Sequence, residues 1–239
     1  MKDIINSFKL VKYSIQFKGS LAAGIIFFVV GILFELTGSQ MSSLTGLYLG
    51  VAATFVVNLF LLSQVPGIAR ASRLSYITAT QASSIALFIY SMVAFTLFVT
   101  IRLNLSIPRL MKNDEKPYYM QNESMYMDIM KTAFFLALLM IYTAISFRRY
   151  IVSLVLIFIG LLVYMYINRL RPVAEFEVSL CREMQAFAGD RFIPLLLLIS
   201  YALILLGVIL FWLVNKMLFK YEIEPIVYRN AMKRAYADR

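Results

Sequence analysis

Several residue types on which protein chemistry commonly depends are missing from this 239-residue chain. It has no histidine, the commonest metal ligand and general base. Cys181 is the only cysteine, so it can form no disulfide within the chain and has no histidine to activate a thiol nucleophile. No lysine follows a glycine, which excludes the phosphate-binding GxxxxGK[ST] loop. We therefore expect no enzyme activity, and no metal or cofactor bound by this chain.

Apolar residues are abundant instead. They make up 61% of the sequence, and the mean hydropathy is +0.78. A soluble domain of this size cannot bury so much apolar surface in one core, so the chain is predicted to lie in a bilayer. Six stretches contain no Lys, Arg or Asp and are predicted membrane helices: residues 20–36, 44–62, 85–101, 132–147, 150–167 and 192–214. The fourth is shorter than the roughly 17 residues that a span needs, so we expect it to include residues from "MYMDIM" before it. The six stretches predict an all-α membrane domain of six helices over residues 19–219.

The distribution of positive charge predicts the orientation of these spans. The N-terminus, the 63–84 connection, the 148–149 hairpin and the C-terminal tail would share one side, and together they carry the whole net charge of +10. The connections on the other side balance to zero. Because Lys and Arg next to spans stay in the cytoplasm, both termini are predicted to be cytoplasmic in a plasma membrane. The same asymmetry accounts for the high pI without nucleic-acid binding.

Three segments outside the spans have their own patterns. Residues 1–18 place apolar side chains on one helical face and lysines largely on the other, which predicts a helix lying in the inner membrane interface. Residues 172–189 have apolar side chains at spacings of three and four and end at Gly189, which predicts an amphipathic outer helix. Residues 220–239 form a basic cytoplasmic tail.

The connection "VPGIARASRLSYITATQAS", residues 65–83, is too long for a simple turn between two spans. After Pro66 and Gly67 it has apolar residues on one stripe with arginines around them, as in a short helix. A helix of this kind on the cytoplasmic side indicates a docking surface for another protein.

Together, an amphipathic first helix, six spans, a cytoplasmic helix between spans two and three and an amphipathic segment before span six resemble the ABC-2-type permease family. Members of this family are the membrane subunits of ATP-binding-cassette exporters, including bacterial half-transporters that pair into dimers. The resemblance extends over nearly the whole chain but depends on architecture alone. One departure is the connection at residues 102–131, which is longer than the family's short outer loops.

The resemblance implies partners and a site. The helix at residues 69–80 would be the coupling helix, and Arg70, Arg73, Leu74 and Tyr76 would contact the ATPase subunit. ATP and Mg would then be bound by that subunit, and a second permease chain, identical or related, would complete the path. A lining without charge indicates an amphipathic or hydrophobic cargo, such as a membrane-active peptide, a lipid-like molecule or a drug.

Two polar residues within the spans are further candidates. Glu35 lies at the outer end of the first span, where it is either a carboxylate hydrated at headgroup level or part of a gate or translocation path. Asn58 lies in the second span, where its amide needs a partner, so it either packs between helices or lines the path. In that span Gly46 and Gly50 favour close helix contact.

A second function is consistent with the same sequence. The outer segment "KPYYMQNESMYMDIM" is rich in Tyr and Met, whose adaptable side chains suit a binding surface. The chain would then be a membrane scaffold or immunity protein that binds partners through its outer loops and transports nothing.

Cysteine labelling tests the orientation. In a Cys181→Ser background, Ser72→Cys should react with a membrane-impermeant maleimide only after the membrane is opened, and Asn113→Cys should react from outside in intact cells. Labelling of Ser72→Cys in intact cells would contradict the orientation.

Overall fold

In the computed structural model, the described residues are 2–14, 17–37, 42–63, 73–111, 122–167 and 171–221, with residues 225, 229 and 233. These ranges are helical and contain no strand. The helices are α1 (Lys2–Leu10), α2 (Phe17–Leu36), α3 (Ser42–Leu62), α4 (73–111), α5 (Asn122–Ser146), α6 (Tyr150–Ile167), α7 (Arg171–Ala188) and α8 (Phe192–Leu218). Short 3-10 turns follow α1 at Val11–Tyr13 and α7 at Gly189–Arg191.

Five helical segments are long and apolar enough to cross a membrane: Phe17–Leu36, Thr45–Leu62, Leu74–Arg109, Met125–Ser146 and Glu175–Leu218. They correspond to the first four predicted spans and the last. The predicted fifth span is helix α6, in which the apolar stretch Ile151–Gly160 is shorter. A helical, multi-pass membrane fold is therefore indicated for the described residues, whereas the predicted fifth span, and with it the total of six, remains a prediction.

Helix α4 is longer than the predicted third span at both ends. It comprises α-helical stretches at Arg73–Ile77, Ser83–Ile101 and Ile107–Met111, separated by π turns at Thr78–Ala82 and Arg102–Ser106. The sequence predicts a cytoplasmic helix at residues 69–80 that is separate from the third span. From residue 73 to residue 111 the chain is one continuous helix, so no separation is present in this range.

The Ser/Thr-rich start of α4 is buried because its hydroxyl groups are satisfied within the helix. Thr78 and Thr80 each donate to the carbonyl oxygen four residues earlier, at 2.7 Å, and Ser84 does so at 2.5 Å. Such side-chain bonds compete with the regular backbone pattern and bend or widen helices. They account for the π turn at this place.

The long outer connection predicted at residues 102–131 is wrong. Residues 102–111 extend α4, and residues 122–131 begin α5. Only 112–121 remain between the two helices, and these lie outside the described residues. Because of the charges in this region, the sequence interpretation ends the third span too early and begins the fourth span too late.

Helix α1 is amphipathic but ends at Leu10, earlier than the predicted boundary at residue 18, and Lys18 belongs to α2. The helix packs on the bundle. The Phe8 ring meets the Phe60 ring edge-on at 5.1 Å, and the Ser7 and Thr78 hydroxyl groups are 2.9 Å apart. It therefore joins the ends of α3 and α4.

A helix is present where one is predicted before the last span: it is α7, and its position on the outer side remains a prediction. It ends at Ala188, and Gly189 has a positive φ of 53°, which favours glycine and stops the helix. Leu180 and Met184 pack against the core, whereas Phe176 is exposed.

The core lies among α3, α4, α5 and α8, which approach closely at small residues. A Cβ added at Gly46 would lie 3.2 Å from the Thr132 Cα, so the close contact predicted for this glycine is confirmed between α3 and α5. A Cβ at Gly207 would lie 2.7 Å from the Ala137 Cβ, where α8 crosses α5. Most described side chains of α6 are exposed, so that helix lies at the edge.

Gly207→Ala should lower the free energy of unfolding by about 1–3 kcal/mol, because the added methyl group overlaps the Ala137 backbone. Gly160→Ala in α6 is the matched control, since nothing lies within 4 Å of its added Cβ. Thermal unfolding in detergent measures both. Equal midpoints for the two variants would contradict the proposed crossing.

Candidate functional site: a buried charge network

Charged side chains from four helices form a continuous network at one end of the bundle. Its members alternate in sign: Glu35 of α2, Arg102 of α4, Asp128 and Lys131 of α5, and Glu177 of α7. We call these five residues the charge network. It holds the C-terminal parts of α2 and α4 and the N-terminal part of α5 together and connects them to α7.

Arg102 is the centre of the network. Only 2% of its side chain is exposed, and its guanidinium group bonds Glu35 Oε1 through Nη1 at 3.2 Å and Asp128 Oδ2 through Nη2 at 2.5 Å. Nη2 also lies 3.4 Å from the Met125 carbonyl oxygen. A planar guanidinium group with donors in fixed directions suits two carboxylates at once. Since a buried charge is costly unless it is paired, Arg102 requires these helices to be assembled.

Glu35 is enclosed by protein, with 1% of the residue exposed. Thr45 donates a hydrogen bond to Oε2 at 3.3 Å, and Ser106 donates one to the Glu35 backbone oxygen at 3.0 Å. The interpretation of Glu35 as a carboxylate hydrated at headgroup level is therefore wrong. Its carboxylate is bonded by Arg102 and by the Thr45 hydroxyl group, whereas the Ser106 hydroxyl group bonds its backbone oxygen.

The second half of the network is nearer to the surface. Lys131 Nζ lies 2.6 Å from Glu177 Oε2 and 3.7 Å from Asp128 Oδ1, and these three side chains are 17–25% exposed. Ion pairs that water can reach contribute less to stability than fully buried ones, so this half of the network is the part that can break most readily. Its breakage would separate α7 from α5.

The π turn Arg102–Ser106 positions both α4 contacts of Glu35. Arg102 opens this turn and Ser106 closes it, and one reaches the Glu35 side chain while the other reaches its backbone. One turn beyond, Arg109 donates to the Leu36 carbonyl oxygen at 3.0 Å, which satisfies an end group of α2. π turns are frequent at functional sites.

Sequence reasoning found Glu35 and missed the other four members. The sequence interpretation places Arg102, Asp128, Lys131 and Glu177 in outer connections, because all four lie outside the uncharged stretches. The pairing itself leaves no local signal, since Glu35 and Arg102 are far apart in the sequence. The spacing of Asp128 and Lys131, three residues apart in a helix, was the one detectable hint.

The residues predicted to dock an ATPase lie elsewhere. Arg70 is outside the described residues, and Arg73 is described only as the first backbone position of α4. Leu74 and Tyr76 are half-buried, and the Tyr76 ring meets the Phe219 ring edge-on at 5.0 Å. They lie with α1 and the end of α8, at the opposite end of α4 from Arg102.

Asn58 is half-buried in α3. It follows Thr45, which contacts Glu35, by thirteen residues. At 1.5 Å per residue, that spacing puts Asn58 about 20 Å farther along the bundle. The structure therefore does not bring the two predicted path residues together.

The chemistry available at the network is ion pairing. Within the described ranges, no three His, Cys, Asp or Glu side chains are placed to hold a metal ion. No protein-family model matches the chain, and no curated protein or solved structure matches it either. The arrangement of the charge network and of the helices that carry it is therefore the structural basis for a functional proposal.

Arg102→Met should destabilise the fold by about 3–5 kcal/mol, because it leaves the Glu35 carboxylate buried without a counter-charge. The double variant Glu35→Gln/Arg102→Met should recover a large part of that loss. Lys131→Met is the control, and with its partly exposed ion pairs it should cost about 0–1 kcal/mol. Thermal unfolding in detergent measures all three, and a double variant as unstable as Arg102→Met would contradict the explanation.

Proposed function

We propose that this chain is the membrane permease subunit of an ATP-binding-cassette exporter of the ABC-2 type. It has six transmembrane helices, both termini in the cytoplasm and a second permease chain as its partner. Separate ATPase subunits bind ATP and Mg and drive the export of an amphipathic or hydrophobic cargo. Two observations support the proposal: the resemblance of the sequence to this family, and the unbroken helical course of α4 from residue 73 to residue 111.

Helix α4 reaches from the predicted docking segment to the charge network without leaving helical structure. Residues 73 and 102 are separated by about 44 Å at the rise of an α-helix. A force applied to residues 69–80 by an ATPase would therefore act on Arg102 through one helix. This continuity is the observation that carries the proposal.

The docking end of α4 is held by its neighbours. Thr78 contacts Ser7 of α1, and Tyr76 contacts Phe219 just after α8. Arg148 lies over the same Phe219 ring, 5.1 Å from its centroid. A displacement of the docking segment would therefore move α1 and α8 together with α4.

At the other end, the charge network serves as the gate in this proposal. Its paired state holds α2, α4 and α5 together through Arg102. Movement of α4 would lengthen or exchange the ion pairs of Arg102 with Glu35 and Asp128. Because Asp128 also pairs with Lys131, the change would then reach the Lys131 pairs. Glu35 then belongs to the gate, as one of its two sequence interpretations has it.

The alternative function, a scaffold with a Tyr/Met-rich outer surface, is less well supported. The described part of that segment belongs to α5, where Met125 and Met127 are buried. Tyr126 packs edge-on against Phe192 at 5.7 Å. These side chains stabilise the bundle and present little surface to a partner.

Charge reversal at the docking segment tests the proposal. Arg70→Glu/Arg73→Glu should weaken association with the proposed ATPase subunit by about tenfold or more, because two favourable charges become repulsive. Copurification of the two proteins and permease-stimulated ATP hydrolysis should both fall, while thermal unfolding is unchanged.

The matched control is Lys2→Glu/Lys9→Glu, which makes the same change in charge on exposed positions of α1. It should leave association close to that of the unmodified chain. Full ATPase coupling in the Arg70/Arg73 variant, or a purified chain that associates with no ATPase, would overturn the proposal in favour of the scaffold function.

A further inference from the structure

A groove of about 380 Å³ lies between α2, α3 and α4, away from the charge network. Its volume is within the range of small-molecule sites, about 300–1,000 Å³. Leu21, Ile25, Val56 and Val93 are among the lining residues, and nearly all of the lining is apolar. Tyr90 contributes its ring, since its hydroxyl group is occupied by a hydrogen bond to the Leu49 carbonyl oxygen at 3.0 Å.

The groove opens sideways, toward the membrane. Ile25, Ile89 and Val93 at its rim are 55–61% exposed, although they lie in helices long and apolar enough to span a bilayer. The surrounding medium at this depth is hydrocarbon. A flexible apolar chain fills such a groove without burying any polar group.

One end of the groove has a positive charge beside it. Ser20 lines the groove in the first turns of α2, and Lys18 is exposed just before it. Lys18 precedes Leu21 by three residues and Ile25 by seven, so it lies on the face of α2 that lines the groove. Nothing lies within 4 Å of a Cβ added at Gly19, which leaves space beside the lysine for a headgroup.

This end of α2 is on the side that carries the positive charge and is predicted to face the cytoplasm. The cytoplasmic leaflet contains anionic lipids, which attract Lys and Arg at the membrane surface. An apolar groove that leads away from a lysine at headgroup level matches a glycerophospholipid, with its acyl chain along the helix and its phosphate at the lysine.

We propose that the groove between α2, α3 and α4 binds one acyl chain of an anionic glycerophospholipid of the cytoplasmic leaflet, and that Lys18 binds its headgroup phosphate. The lipid fills the space between α2 and α4 and so supports the packing of α2. This site is independent of the proposed transport function, since it requires only that the chain lies in a membrane with the start of α2 on the cytoplasmic side.

The single tryptophan, Trp212, makes the proposal testable by fluorescence. In a Trp212→Phe background, Val56→Trp places a reporter on the groove floor, and Ile89→Trp places one at the rim without changing the floor. Leu205→Trp on the exposed face of α8 is the control position. Each variant is reconstituted in phosphatidylcholine nanodiscs with dibrominated phosphatidylglycerol as a minor component, whose bromines quench tryptophan on contact.

The groove reporters should show a preference for phosphatidylglycerol of about fivefold, the effect expected of one lysine near an anionic lipid. The Leu205→Trp control should be quenched only in proportion to the mole fraction of brominated lipid. Lys18→Ala should abolish the preference, and Lys9→Ala in α1 should keep it.

Quenching at both groove positions that equals the control would overturn the site. A preference that survives Lys18→Ala would overturn the assignment of the headgroup. If a second copy of the chain or a cargo molecule filled the groove, brominated lipid would not quench Val56→Trp at all, which would also overturn the proposal.

Discussion

The ion pairing of Arg102 is the interaction on which the arrangement of helices depends. A guanidinium group that is 2% exposed in a membrane protein needs carboxylates within reach, and Glu35 and Asp128 supply them from two other helices. These contacts fix where α2 ends against α4 and where α5 begins. The Lys131 pairs then connect α7 to the same cluster. Removing a single partner would leave a buried charge, so the pairs stabilise the assembly as a unit.

Helix α4 connects the charge network to the opposite end of the bundle. Its Ser/Thr-rich start is buried against α1 and α8 because each hydroxyl group bonds a carbonyl oxygen of the preceding turn. Its other end carries Arg102 in a π turn. The helix therefore departs from regular α geometry only at its two π turns, and both turns lie where polar side chains are packed. Between them the helix is regular and apolar, as expected in hydrocarbon.

The helices fall into two groups, those that form the core and those that expose apolar side chains. Helices α3, α4, α5 and α8 turn apolar and small side chains toward one another and form the core. Helix α2 and the described part of α6 expose many large apolar side chains, such as Ile26 and Phe158, which lipid solvates as well as protein does. The groove beside Tyr90 lies where α2 leaves a space between itself and α4. On its other side α2 packs along α3, where the Phe27 ring stacks on the rings of Tyr48 and Phe55.

The sequence by itself determined the class of protein and most of its helices. Long uncharged stretches have no stable place outside a bilayer, and Gly189 ends a helix wherever it lies, so these predictions needed no partner residues. Only the tertiary structure decided that Arg102 and Glu35 are buried together as an ion pair, that Asp128 pairs with Arg102, and that residues 102–111 and 122–131 are helical. Each of these depends on residues far apart in the sequence whose charges cancel on contact, and hydropathy counts every charge as if it were alone.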